Sequence, residues 1–505
     1  MNIRIPRLAT AFGLLAALPL SAQPFSSIPT QSLESLLRVL SRQGSDVAIV
    51  SYTVGPNGEP DAADPAIFHR ADEPHLLASS SKILLLGAYA LEVSRGHLSP
   101  AEPISLAEWE RFQVPFTDGG AHPAALEELG IAHDEFGLAT DPATRVPLDT
   151  IVAAMIVHSD NAAIDLLLDK VGRGPLLEAR QLLGLEHHDL QRSFAGTLLL
   201  ALHPEDPGLT PARLAELRAL PREAIDAEVA RYRQLYQQPA FHSQVLALLG
   251  SGEAPDPALL REAWEILMPK STAREIAQVL AKVATGRAIS PEVSALMARH
   301  LEWASVLPPI AEAFERFGNK GGDLEGVLNM AAYGVPRVGE LQGKLRVSVV
   351  FLQNLDEPLR QQLLEGEDWP ALWLAPLWVR QAGELLGAGL CLEDGVSLCL
   401  GHGRFRARIH YQTPAGVAGA GRAAPARSDD SGLFSFFSEN NWEMLVKVLD
   451  GCAINGHTWV FAAGATDVGF ELDVEDLTTG ARWSAASAAG APATAITATD
   501  ALACP

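Results

Sequence analysis

The chain has 505 residues, too many for one hydrophobic core, so at least two folded units are expected. With 48% hydrophobic and 20% charged residues the composition is globular and excludes wholesale disorder. A formal net charge of -23 excludes a nucleic-acid-binding surface, which needs clustered Lys and Arg to release counterions, and it argues equally against anionic membranes.

At the N-terminus, Arg4 and Arg7 precede an apolar run over residues 11–20, and small residues follow before Gln23. The pattern predicts a secretory signal peptide over residues 1–22, cleaved near Ala22. The run is shorter than the roughly 20 residues needed to cross a bilayer, so no membrane span is expected. DVAIVSYTV, from Asp46, reads as a strand, PNGEPDAADP after it as turns, and residues 67–70 as the returning strand. SKILLLGAYALEV is apolar all round and predicts a helix buried in a core. Residues 99–147 look irregular with short helices. Residues 148–157 and 162–171 carry helical patterning on either side of HSDN, and residues 198–268 read as a helical insertion broken by prolines. Two further helices, 272–284 and 291–303, precede strand-like segments containing NKGG, VLNMAAYGV and KLRVSVVFLQNL. Strands at both ends of a helical middle predict an α+β domain whose two ends share one sheet. After a helical stretch at 369–386, GAGL marks a linker. The remainder is short strands and turns, an all-β module of sandwich type. Cys391, Cys399, Cys452 and Cys504 all fall in it, which outside the cytoplasm implies two disulfides. The expected division is therefore 1–22, 23–386 and 387–505.

Three short motifs occur in order: SSSK from Ser79 to Lys82, SDN from Ser159 to Asn161, and KGG from Lys320 to Gly322. Ser79 opens the buried helix, at the positive end of its dipole and one turn from Lys82. A serine hydroxyl needs a neighbour to remove its proton, and a desolvated lysine can be neutral enough to do so. The bland alternative is a helix cap followed by a lysine that reaches solvent. Against it, Lys82 sits among Ile83, Leu84, Leu85 and Leu86, where an idle charge is costly. For SDN the bland alternative is an ordinary helix cap, and for KGG a tight turn.

Together the three motifs resemble those of the class A β-lactamase-like, penicillin-recognising serine hydrolases, in which S-x-x-K, S-D-N and K-T-G recur. The resemblance runs from about Val47 to Asn354, apart from the insertion. It implies a β-lactamase/transpeptidase-like fold and an acyl-enzyme mechanism without metal or cofactor. Ser79 would be the nucleophile, Lys82 its base and Ser159 a proton relay to the leaving group. Asn161 and Lys320 would hold the substrate, Gly322 would let it lie close to the strand, and the backbone N–H groups of Ser79 and Asp323 would form the oxyanion hole. Asp160 would be structural. The implied substrate is a β-lactam or another amide or ester, small or peptidoglycan-like, met in the periplasm or outside the cell. A D,D-peptidase or esterase is the alternative within enzymes. Outside them stands a binding protein whose C-terminal module docks on a surface or glycan; that module resembles one recurring at the ends of exported bacterial proteins.

Three departures from the family pattern matter. Gly321 replaces the middle hydroxyl of K-T-G, and Asp323 adds an acid beside the same strand. The family's E-x-x-L-N loop, whose glutamate activates the deacylating water, corresponds to HHDLQRSFAGTLLL, with Phe194 or Ala195 at the glutamate's place. Slow deacylation is expected unless Glu216 or Glu228 folds back from the insertion. EHHD, residues 186–189, has metal-ligand residue types but reads as a solvated loop, because adjacent positions do not converge on one ion. The C-terminal aromatics Phe434, Phe436, Phe437, Trp442 and Trp459 are expected in a small β core.

Overall fold

A computed structural model describes residues 46–365 and 391–504, less positions 57, 62–63, 65, 206–207, 252–255, 338–340, 392–394, 402–403, 425–427, 429, 439 and 478. The expected signal peptide, the helical stretch at 369–386 and the 386/387 boundary lie outside the described residues. The described residues divide into two compact units, one of Ala48–Arg360 and the other of the residues from Gln361 onward, with which residues 46–47 are grouped.

The first unit is built on a five-stranded sheet. Its strands are β1 (Val47–Thr53), β2 (Ile67–His69), β3 (Phe314–Leu324), β4 (Val327–Pro336) and β5 (Arg346–Leu352), in the order β2-β1-β5-β4-β3. Strands from the two ends of the unit thus meet at β1 and β5, as the sequence predicts. Both are buried along their whole length, and among the polar side chains they carry Arg346 of β5 donates to Ser51 Oγ and Thr53 Oγ1 of β1, each at 2.9 Å. Helices fill the middle: α1 (Lys82–Ser94), α2 (Leu148–Val157), α3 (Ala162–Val171), α4 (Phe194–Leu202), α5 (Pro211–Ala219), α6 (Arg222–Tyr236), α7 (Pro239–Ser251), α8 (Pro257–Leu267), α9 (Ala273–Ala284) and α10 (Pro291–Leu301). α1 is buried on every face through Glu92, so it needs no polar stripe. Among the described residues β3 is an edge strand of the sheet and pairs with β4 alone, with Lys320 opposite Ala331 and Gly322 opposite Asn329. An edge strand leaves alternate backbone groups unpaired and open to a ligand.

The predicted insertion is helical, α5 through α8, and it does not stand apart. Leu76, Ala78, Ala195 and Leu198 share one buried apolar cluster with Leu214, Val229, Tyr232, Tyr236 and Trp264.

The second unit is the expected all-β sandwich, two five-stranded sheets of short antiparallel strands whose inner faces supply one core, including Phe405, Ile409, Leu472, Phe434, Val446 and Val460. Cys391 is bonded to Cys399 and Cys452 to Cys504, so both predicted disulfides lie here. Phe434 and Phe436 are core residues as expected. Phe437 and Trp442 are not: they are 54% and 60% exposed, on the loop after Ser431–Ser435. Trp459 is half-buried and its indole donates to Asn455 Oδ1.

Candidate active site

The turn that carries Ser79 is fixed from below. Leu76 N donates to Gln353 Oε1 at 3.0 Å, Asn329 Nδ2 donates to Leu76 O at 2.7 Å, and Leu77 N donates to Pro269 O at 3.0 Å. Ala78 then takes a left-handed conformation, φ 46°, and residues 78–81 form a 3-10 turn that runs straight into α1. Ser79 is therefore one turn before the regular helix and its side chain makes no cap. The reading of SSSK as a mere helix cap with a solvent-seeking lysine fails on this geometry, since Lys82 is 0% exposed.

Lys82 Nζ lies 3.1 Å from Ser79 Oγ, 3.0 Å from Ser159 Oγ, 2.8 Å from Asn161 Oδ1 and 2.6 Å from Ser159 O. Burial removes the water that would solvate an ammonium, and the nearby Lys320 repels a second positive charge. These outweigh Asp160 and Asp118, which favour the charge, so Lys82 is held well below the usual lysine range. Ser159, at φ 65°, turns its hydroxyl into the same cleft, where Lys320 Nζ lies 3.1 Å from it. Burial pushes Lys320 down to about 7. Two lysines with weakened affinity for protons thus share one serine oxygen beside a second serine, an arrangement able to take a proton from one hydroxyl and deliver it through the other.

Gly322 is dictated by space. A Cβ there would come within 2.5 Å of Leu77 O and 3.1 Å of Ser79 N. Gly321 is not so constrained, since a Cβ would meet only Asn329 O, at 3.5 Å. The acid beside the strand is also less disruptive than its charge suggests: Asp323 accepts from Arg360 Nη1 at 2.5 Å, and both side chains are mostly covered.

Behind SDN lies a charged cluster that the sequence reading missed. Asp160, fully buried, accepts from Ala163 N at 2.7 Å and from the Trp109 indole at 3.2 Å, while its other oxygen lies 2.5 Å from His122 Nδ1. His122 Nε2 lies 3.2 Å from Glu110 Oε1, which also accepts from Ala139 N. Burial opposes a charge on His122, but Asp160 and Glu110 outweigh it and lift the imidazole to about 10. His158, the histidine of HSDN, pairs instead with Glu128 near the surface.

The stretch expected to correspond to the family's deacylating loop carries no carboxylate at Phe194 or Ala195. Ser193 caps α4 by accepting from Gly196 N, Phe194 opens the helix, and the buried Ala195 donates its N–H to Asp165 at 3.0 Å. Asp165 is buried, which raises its pKa, and Arg233 of α6 donates to its other oxygen at 2.8 Å. Glu216 and Glu228 are engaged within the insertion, both by Arg213 and Glu228 also by Arg231. The expectation of a uniformly solvated EHHD loop holds for His187, which is mostly exposed and pairs with Glu275, but not for His188. That ring is buried because the loop folds it under the backbone, Nδ1 donating to Asp189 O. Among the described residues, the one group of three ligand-type side chains near enough to share an ion is Asp450, Cys452 and Cys504, and both cysteines are in a disulfide.

A family model described as "Beta-lactamase enzyme family" matches residues 43–333, more than half of the chain. Among solved structures, the chain is similar to a beta-lactamase from Sphaerobacter thermophilus, at 19% identity over 68% of this chain and 97% of that one, TM-score 0.41. It is also similar to PBP-A, at 14% identity over 71% and 98%, TM-score 0.39, and to a beta-lactamase from Chitinophaga pinensis, at 14% over 70% and 100%, TM-score 0.40. No curated protein sequence matches. With the family model spanning both the SSSK and KGG segments, the chain belongs to the beta-lactamase enzyme family and is a serine hydrolase that works through an acyl-enzyme.

Proposed function

We propose that this is an exported hydrolase whose Ser79 is acylated by a β-lactam or a related amide or ester. The observation that carries the reading is the chain Ser79 Oγ, Lys82 Nζ, Ser159 Oγ, Lys320 Nζ, with successive separations of 3.1, 3.0 and 3.1 Å. Neutral Lys82 removes the Ser79 proton as Oγ attacks the carbonyl. The oxyanion is met by the N–H groups of Ser79 and Asp323, on a turn and an edge strand pressed together at Gly322. Collapse of the tetrahedral intermediate breaks the C–N or C–O bond, and Ser159 passes a proton to the leaving group. Asn161 and Lys320 hold the substrate, Lys320 by its positive charge when a carboxylate is bound. Neither metal nor cofactor enters this sequence.

Export is supported by the leader-like residues 1–22 and by the two disulfides, which persist in oxidising compartments. Among the described residues no helix is long and apolar enough to cross a membrane. The compact units part at Arg360/Gln361, and we place the start of the all-β module itself near residue 387, at the linker-like GAGL; a surface or glycan contact of that module we place at Phe437 and Trp442, on the strength of their exposure.

A fluorescent penicillin and a fluorophosphonate test the reading together. Labelling by either that disappears in Ser79→Ala and in Lys82→Met supports it. Labelling by the fluorophosphonate alone moves the substrate class to an ester or peptide, and wild-type labelling in Lys82→Met overturns the assignment of the base.

A further inference from the structure

His122 is the least exposed histidine beside the site and the one gripped by two acids. Each of its ring nitrogens faces a carboxylate oxygen, Nδ1 that of Asp160 at 2.5 Å and Nε2 that of Glu110 at 3.2 Å. A carboxylate only accepts hydrogen bonds, so both nitrogens carry protons and the ring is an imidazolium. Its remaining neighbours agree. Asp118, from the preceding loop, accepts the His122 backbone N–H at 2.9 Å, and the Trp109 ring meets the imidazole edge to face at 5.0 Å.

Asp160 connects this cluster to the chemistry. It lies between Ser159 and Asn161, both of which touch Lys82 Nζ, and its negative charge acts on Lys82 in the direction that retains a proton. We propose that His122 is a positioning residue whose fixed positive charge, clamped between Asp160 and Glu110, cancels enough of the Asp160 field to leave Lys82 free to act as the base. The proposal rests on the reading of Lys82 as that base. His122 touches neither Ser79 nor Lys82; it acts through the SDN turn. The groups facing Lys82 are Ser79, Ser159, Asn161 and Lys320, with Asp160 and Asp118 acting through their fields. His122 is the cation set directly against the first of these two acids.

The consequence is a pH effect whose sign follows from charge. With His122 charged the cluster of Asp160, His122 and Glu110 carries one net negative charge; His122→Gln leaves two, and Glu110→Gln leaves none. More negative charge stabilises protonated Lys82, so the acid limb of the acylation rate moves to higher pH in His122→Gln, by about one unit for an uncompensated neighbouring charge. It moves to lower pH in Glu110→Gln. In the double variant His122→Gln/Asp160→Asn one negative charge is restored, and the limb returns to its original position.

The test is the pH dependence of the rate at which a fluorescent fluorophosphonate labels Ser79, in the full chain, with near-UV circular dichroism to establish folding. An upward shift in His122→Gln that Asp160→Asn reverses, with a downward shift in Glu110→Gln, is the expected result. A limb that stays put in His122→Gln and Glu110→Gln, or a shift that Asp160→Asn does not reverse, overturns the inference. Should His122→Gln fail to fold, Glu110→Gln decides: it retains the acceptor for Ala139 N, and a limb that is unmoved or moved upward refutes the idea. Lys82→Met separates this failure from that of the underlying reading. If it labels like wild type, the base is misassigned; if it is dead while the limbs are unmoved, only the role of His122 falls.

Discussion

Gly322→Ala is the smallest change that strikes the proposed oxyanion hole without removing a functional group. Its added methyl would sit 2.5 Å from Leu77 O and 3.1 Å from both Ala78 Cβ and Ser79 N. All but Ala78 Cβ are backbone atoms, and Leu77 is tied to Pro269 O by its own N–H, so no flexible side chain can yield. Relief requires β3 and the Ser79 turn to separate by about 0.9 Å, the gap to the lower end of ordinary contact at about 3.4 Å, and overpacking of this kind costs about 1–3 kcal/mol of stability. The same separation pulls the Ser79 N–H away from the oxyanion. Loss of one such donor lowers the rate by about 10²–10³, and a misplacement approaching 1 Å by about 10². We expect the acylation rate constant for a fluorescent acylating probe to fall about 100-fold, equivalent to about 2.7 kcal/mol of barrier. Gly321→Ala is the control. Its methyl meets a single atom at 3.5 Å, so rate and stability stay within about twofold and about 0.5 kcal/mol of wild type. Equal losses in the two variants, or none in Gly322→Ala, would show that the turn and the strand do not meet as described.

The open space at Gly321 allows a hydroxyl to be returned to the middle of the motif, and Gly321→Thr is expected to raise the rate of acylation by penicillin relative to the fluorophosphonate; a lower or unchanged ratio counts against Lys320 and its strand as the carboxylate site. With no carboxylate at Phe194 or Ala195, and loss of a general base costing about 10²–10⁴ in rate, a β-lactam that fits should give a burst of one equivalent and slow turnover, with a mass increase on the Ser79 peptide. Steady turnover without an adduct in stopped-flow and intact-mass measurements would reveal a replacement base. Burial of Lys320 lowers its folded pKa to about 7, far below the unfolded value near 10.4, so between these limits the unfolded chain binds more protons and this residue makes stability rise with pH. Urea unfolding at pH 7 and pH 9 should show a smaller rise in Lys320→Met than in wild type; equal rises refute it. The 52-residue separation of Cys452–Cys504 implies about 4 kcal/mol of stabilisation of the C-terminal unit, against about 2.5 kcal/mol for Cys391–Cys399 with its separation of 8. Thermal unfolding of the two Cys-to-Ser pair variants should rank them in that order while Ser79 labelling is retained.

The parts of the site that could be read from the sequence are those in which chemistry is written locally. Ser79 and Lys82 are one turn apart in an apolar run, and a lysine amid leucines is conspicuous before any fold is known. The sheet was legible for a similar reason, since β1 and β5 are short and rich in apolar and β-branched residues. His122 was not legible. Its partners Glu110 and Asp160 are 12 and 38 positions away, and AHPAAL around it has no pattern that marks an imidazolium. Arg360 neutralises Asp323 from 37 positions away, so the acid beside the strand reads as a disturbance in the sequence and as half of an ion pair in the fold. Phe437 and Trp442 defied expectation because the loop after Ser435 turns the neighbouring Phe436 into the core and leaves these two outside it, which composition does not reveal.

The joint between α4 and α6 bears on how the domain could be dissected or rebuilt. Gly196 of α4 leaves so little room that a Cβ would lie 2.2 Å from Val229 O of α6. Arg233, one turn further along α6, reaches Asp165 and Asp169, while Tyr236 donates to Gln113 O at 2.7 Å. Excising the insertion to obtain a minimal hydrolase would therefore strip the apolar backing from Ala78, immediately before Ser79, and leave Asp165 buried without its cation. Loss of such a partner typically costs about 3–5 kcal/mol, a large fraction of a domain's whole stability. Grafts and truncations should respect the α4–α6 joint and keep Leu214 and Leu217 of α5 and Phe241 and Val245 of α7, which belong to the same buried cluster.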